Sequence, residues 1–253
     1  MSKIKTILLS ILWTAIILVF PITSGIIATV FELEQKIVFL VQGSFMLIST
    51  TIPLAYIKIA KHKFYDYGFS LPEKGSTKKV LFYIPLVLII LPRLVVGIDF
   101  QSITYTLSLL FFTLCIGISE EIYFRGIVYN LIKNSFISVA AIINISALIF
   151  GIGHGASIIG TGDIVATILQ IINAFFFGVV AIETVMLVKS LYPLMAFHFI
   201  YNCANYISTA TGTTEIISIA IQVILTIITT VLLGVSIKKN YHTKIEIPDQ
   251  MEN

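Results

Sequence analysis

Long apolar runs alternate with short polar links along almost the whole chain. The first run, 7–30, follows Lys3 and Lys5. A basic start before an apolar stretch resembles a signal peptide. The run is long enough to span a bilayer and no A-x-A pattern follows it, so an anchor helix is expected. Glu32, Glu34 and Lys36 link it to a second run at 37–59, which Pro53 should kink. Residues 60–79 mix lysines with aromatics and carry Gly68, Pro72 and Gly75, which suits an interfacial loop or a short amphipathic segment. Further spans are expected at 80–98 (containing Pro85 and Pro92), 101–133, 136–153, 164–188, 194–208 and 216–237. A Gly-rich polar turn is expected at 154–163, a tight link at 189–193 and a mobile polar tail at 238–253.

These runs predict an all-α polytopic membrane bundle of about eight transmembrane helices. It would be a single integral-membrane domain over 1–253, without internal repeats, and with its chemistry concentrated at about 100–208. Composition agrees: 57% of residues are hydrophobic and 11% charged, and the mean hydropathy is +1.00, whereas soluble domains carry about 25% charged residues. No basic patch of the kind that binds nucleic acid is present. Cys115 and Cys203 lie inside apolar runs without CxxC spacing and read as free thiols. An even number of spans puts both termini on one side. Lys3, Lys5, the lysines of 60–79, Lys133, Lys189 and the tail lysines all fall there, and the other side receives Lys36 and Arg93. That asymmetry predicts a cell-membrane protein with cytoplasmic termini.

Charge matters most inside the spans. Glu120, Glu121 and Arg125 interrupt the run at 101–133. A charge near the bilayer centre costs roughly 2.5–3.5 kcal/mol on insertion scales, so such charges pair, face the bundle interior and mark sites. Glu121 and Arg125 are spaced i,i+4 and can pair on a helix, whereas Glu120 is i,i+5 from Arg125 and turned away. Arg125 is therefore expected to hold Glu121 and leave Glu120 free for chemistry. The bland alternative, a surface salt bridge at a helix end, needs the helix to leave the membrane at Ser119 although the apolar run resumes at Gly126.

Two more polar pairs occupy apolar runs. Phe150 with His154, and His198 with Asn202, are each i,i+4 and share a helix face. At 1.5 Å per residue from the cytoplasmic ends of their spans, Glu120 and Asn202 lie about 20 Å deep, His198 about 14 Å and His154 about 27 Å. A shared water-filled cavity would suit hydrolysis without a covalent intermediate. A carboxylate in an apolar cavity becomes a better general base. His154 could share its water or proton, and His198 and Asn202 could stabilise an oxyanion. No GxSxG-type nucleophile motif is present.

Glu120-Glu121-x-x-x-Arg125, Phe150-x-x-x-His154 and His198-x-x-x-Asn202, in this order within apolar helices, resemble the CPBP family. These are the CAAX prenyl endopeptidases and bacteriocin-processing or self-immunity proteins, also called the Abi family. The resemblance covers about 100–208. It implies an all-helical intramembrane glutamic protease that needs no cofactor. In it Glu120, the first of the pair Glu120 and Glu121, activates water with His154, and His198 and Asn202 form the oxyanion hole. Its substrate would be a membrane-associated peptide or protein, lipidated in some members.

Three other readings stay open at this point. Glu120, His154 and His198 could form a His2Glu zinc set, although HExxH is absent. The chain could be a non-catalytic immunity or scaffold protein. It could also be a transporter with Glu183, Asn173 and Glu120 along a polar path. Glu183, close to the end of its span, is expected to reach the membrane interface. Gly151, Gly153 and Gly155 are expected to serve close packing, since no strand or P-loop lysine accompanies them.

Overall fold

The computed structural model describes residues 1–72 and 83–245. Residues 73–79 of the expected interfacial loop, the start of the third span at 80–82, and the tail at 246–253 lie outside the described residues. The helices are α1 (Lys3–Val30), α2 (Gln35–Ser49), α3 (Thr51–Ile59), α4 (Tyr83–Val95), α5 (Ile103–Glu120), α6 (Tyr129–Lys133), α7 (Val139–Gly153), α8 (Ile158–Thr161), α9 (Ile164–Val188), α10 (Tyr192–Ile207) and α11 (Gly212–Ile245). A π-helix, Glu121–Val128, joins α5 to α6 in one rod.

Six of these helical rods are long and apolar enough to cross a membrane. The expected seventh span is shorter, with 16 residues in α10, and the described part of the third, α4, holds 13. Both stop where the chain turns extended: Gly97 takes φ +137°, Ile98 bridges Ser208, and the Asp99 and Thr209 N–H groups donate to the carbonyls of Ile207 and Gly97. These paired backbone groups satisfy each other where the helices end. Two further expectations are corrected. The 154–163 turn is mostly helical, with a 3-10 turn at His154–Ser157 followed by α8. Lys238, Lys239 and Lys244 continue α11 instead of opening a tail.

The burial pattern is inside out relative to a water-soluble bundle. α1 buries Thr6, Ser10, Thr14 and Ser24 and exposes Leu8, Leu12, Val19 and Ile26. α11 likewise buries Ser218, Gln222, Thr226 and Thr229 and exposes Ile217, Ile224, Ile228 and Val231. Small polar residues let helices approach where lipid surrounds them. Their hydroxyls are satisfied within the helix, as Ser10 donating to the Thr6 carbonyl (2.9 Å) and Thr226 to that of Gln222 (2.8 Å).

Pro53 breaks the second rod at Thr50, between α2 and α3. Proline has no N–H to give the carbonyl four residues back, here that of Ser49. The Tyr123 hydroxyl donates to that carbonyl instead, at 2.9 Å, and so ties the break to the π-helix.

The helices alternate in direction, and the two ends differ in charge. One end carries Lys3, Lys5, Lys58, Lys61, Lys63, Lys133, Lys189, Lys238 and Lys239 with Asp66. The other carries Glu32, Glu34, Asp99, Asp163 and Glu215 with Lys36 and Arg93. Cross-links hold the basic end together: the Thr6 and Ser135 hydroxyls (2.6 Å), the Asn130 amide to the Asp66 carbonyl (2.7 Å), and the Ser70 hydroxyl to the Lys189 carbonyl (2.9 Å).

Candidate active site

The rod 103–133 brings Glu120 and Glu121 to the middle of the bundle, and α10 brings His198 against them. α5 and α10 pass closely because of Gly117, where a Cβ would sit 3.0 Å from the Phe199 nitrogen and 3.1 Å from the Met195 carbonyl. α7 and α9 meet in the same way at Gly178, whose Cβ would lie 3.0 Å from the Ala147 backbone. That contact sets Phe150 and Phe177 beside the charged groups.

Glu121 is fully buried. Its Oε1 accepts from Arg125 Nη1 at 3.0 Å and from His198 Nδ1 at 2.7 Å. Arg125, 2% exposed, stacks on Phe150, with its guanidinium 4.1 Å from the ring centre, and lies 5.5 Å from that of Phe177. Phe150 is also edge-on to Phe124 at 4.9 Å and to His154 at 4.7 Å. The i,i+4 pair read from the sequence is thus present. It sits in a π-helix, which the sequence reading did not anticipate.

Glu120 is placed differently. Its Oε2 has no hydrogen-bond partner and lies 3.8 Å from His198 Nε2. With Phe124 and His154 it lines a cavity of about 790 Å³. The sequence places His154 deeper than Glu120 when its span starts at Phe136. Its helix begins at Val139, three residues later than expected, and His154 itself opens the 3-10 turn after α7.

Hydrogen bonding fixes which nitrogen of each ring is available. His154 Nδ1 faces the Phe150 carbonyl at 3.0 Å, and a carbonyl only accepts, so Nδ1 carries the proton and Nε2 is the free nitrogen. His198 Nδ1 faces a carboxylate, so it also donates, and its Nε2 turns towards Glu120.

The remaining candidates lie farther out. Asn202 sits one turn beyond His198 on α10, half-buried, and neither it nor His198 lines the cavity. Glu183 does not reach an interface as expected. It is 3% exposed, and its Oε1 is 3.2 Å from the place a Cβ on Gly234 of α11 would occupy. Asn173 donates to the Tyr201 hydroxyl at 2.9 Å. Neither Glu183 nor Asn173 lines the cavity with Glu120, so the polar path of a transporter is not assembled there. Among the described residues no three His, Cys, Asp or Glu side chains are grouped to hold a metal ion.

Sequence reasoning missed Phe177, which packs 4.7 Å from the His198 ring. Within Phe175-Phe176-Phe177 nothing local distinguishes it. It also gave no role to Gln42 and Gln170, amides within apolar spans that line the cavity.

Residues 102–204 match the family described as Type II CAAX prenyl endopeptidase Rce1-like. The match covers 103 of the 253 residues and makes this segment similar to the CAAX protease family. The matched segment contains Glu120, Glu121, Arg125, Phe150, His154, His198 and Asn202. No curated protein matches the chain. The fold, with six helical rods among the described residues long and apolar enough to cross a membrane, is that of a multi-pass membrane protein.

Proposed function

We propose that this protein is a CAAX-protease-like intramembrane endopeptidase of glutamic type, with Glu120 as general base. One observation carries the reading: of the two adjacent carboxylates, Glu121 is held through Oε1 by Arg125 and His198 and does not line the cavity, while Glu120 lines it together with His154.

In the proposed reaction a water held between Glu120 and His154 Nε2 gives its proton to Glu120 and attacks the peptide carbonyl. The tetrahedral intermediate then collapses as the proton passes from Glu120 to the leaving amine. His198 Nε2 and the Asn202 amide stabilise the oxyanion. With Nδ1 donating to Glu121, His198 donates from Nε2 as well only when both ring nitrogens are protonated. Arg125 balances the charge of Glu121 at 3.0 Å. Phe150 serves as the platform for Arg125. The substrate is a membrane-associated peptide or protein, and the chain requires no cofactor or nucleic acid in this reading.

The test is Glu120→Gln, which keeps shape and removes the base. Removing a general base costs about 10²–10⁴ in rate, so hydrolysis should fall to background while peptides remain bound. Crosslinking this variant in membranes and identifying the captured peptides by mass spectrometry names the substrate. Biological activity undiminished in Glu120→Gln would indicate a binding role. Complete inhibition by a chelator, reversed by zinc, would replace water activation by metal ligation.

A further inference from the structure

The cavity is asymmetric along the membrane normal. Its closed end is Glu120, Phe124 and His154, backed by the Phe150 and Arg125 stack. Its walls run from there towards the acidic end, along α1 to Val30, past Leu33 of the link, and along the turn after α7 to Gly160. None of the lysines at the basic end, and no residue of the cross-links that hold that end, lines it. The two lips are open: a Cβ added at Gly25 of α1 or at Gly160 of α8 would meet nothing within 4 Å. Val30, at the mouth, is 68% exposed.

The lysine distribution orients this opening. Positively charged links stay on the cytoplasmic side, so the basic end is cytoplasmic and the mouth lies at the opposite face. We infer that the cavity is entered from the extracytoplasmic side, and that the substrate is a peptide presented there or in the outer leaflet. This rests on the proteolytic reading and narrows it. Among the described residues, the end that a cytoplasmic protein tail would meet is the cross-linked one. The walls are mostly aliphatic, with Thr29, Gln42, Ser157 and Gln170 as polar points. Residues flanking the scissile bond would therefore be apolar, with the amides free to pair with an extended backbone.

Single cysteines test the direction of entry. Gly25→Cys and Ser157→Cys place thiols on the cavity wall, Lys61→Cys places one at the basic end, and the unchanged chain with Cys115 and Cys203 sets the background. Each is exposed to a small, charged, membrane-impermeant methanethiosulfonate, in intact cells and in inverted membrane vesicles. The expected pattern is modification of Gly25→Cys and Ser157→Cys in intact cells, with Lys61→Cys modified only in inverted vesicles. Wall thiols that react only in inverted vesicles, or in neither preparation, overturn the inference, as does Lys61→Cys reacting in intact cells. Modification needs no turnover. Loss of the entry side and loss of the protease reading are therefore read separately, the second by Glu120→Gln.

Discussion

Arg125→Ala isolates the role of the buried ion pair. The guanidinium neutralises Glu121 across 3.0 Å and stacks 4.1 Å above Phe150. Glu121 is fully buried, so removing Arg125 leaves a carboxylate supported by His198 alone. Breaking a buried pair by deleting one partner typically costs about 3–5 kcal/mol. Because His198 still donates to Glu121, the lower figure applies. At about 2–4 °C per kcal/mol for a domain of this size, roughly 3 kcal/mol corresponds to a fall of about 6–12 °C in the melting temperature. A thiol-reactive fluorophore can follow melting in detergent, since Cys115 is buried in the folded protein and becomes reactive on unfolding. Adding Glu121→Gln to Arg125→Ala removes the orphaned charge and should recover part of the loss, a coupling that a double-mutant cycle measures. Glu120→Gln should melt close to the unaltered protein. The reasoning fails if Arg125→Ala melts unchanged, if Glu120→Gln falls as far, or if the second substitution restores nothing.

Other outcomes follow from the same contacts. Gly117→Ala puts a methyl group 3.0 Å from the Phe199 nitrogen; overpacking of this kind costs about 1–3 kcal/mol, and separating α5 from α10 should lower kcat by moving His198 off Glu121. Asn202→Ala should keep the melting temperature and lower kcat by about 10²–10³ if its amide is an oxyanion donor; unchanged kinetics would remove it from the mechanism. Glu183 has a buried oxygen with no partner, and an unsatisfied buried polar group costs about 1–3 kcal/mol, so Glu183→Met should raise the melting temperature without altering hydrolysis.

Much of this site was legible because charge is rare in these spans. Glu120, Glu121 and Arg125 stood out against their apolar surroundings, and helical spacing alone paired Arg125 with Glu121 and freed Glu120. What stayed hidden depended on tertiary contacts. The π-helix has no composition signature, and its tie to Ser49 joins residues far apart in sequence. Phe177 looks like its neighbours until α9 is packed on α7. Glu183 was placed by its distance from the end of its span, but packing against Gly234 decided its burial. α10 was read as a full span because its apolar character continues into the extended segment that ends it.

The hydrogen bond from Tyr123 to Ser49 makes two distant positions dependent on each other's chemistry. Pro53 is tolerable in a lipid-embedded rod because a hydroxyl elsewhere adopts the acceptor it strands. A change to Phe at 123 is harmful chiefly while proline occupies 53. If position 53 regains an N–H, the Ser49 carbonyl has a second source of satisfaction and the hydroxyl becomes expendable. In a diverging lineage these two positions would be expected to change in a fixed order, proline lost first and the hydroxyl afterwards. The kink is thus an inherited contingency as well as a bend.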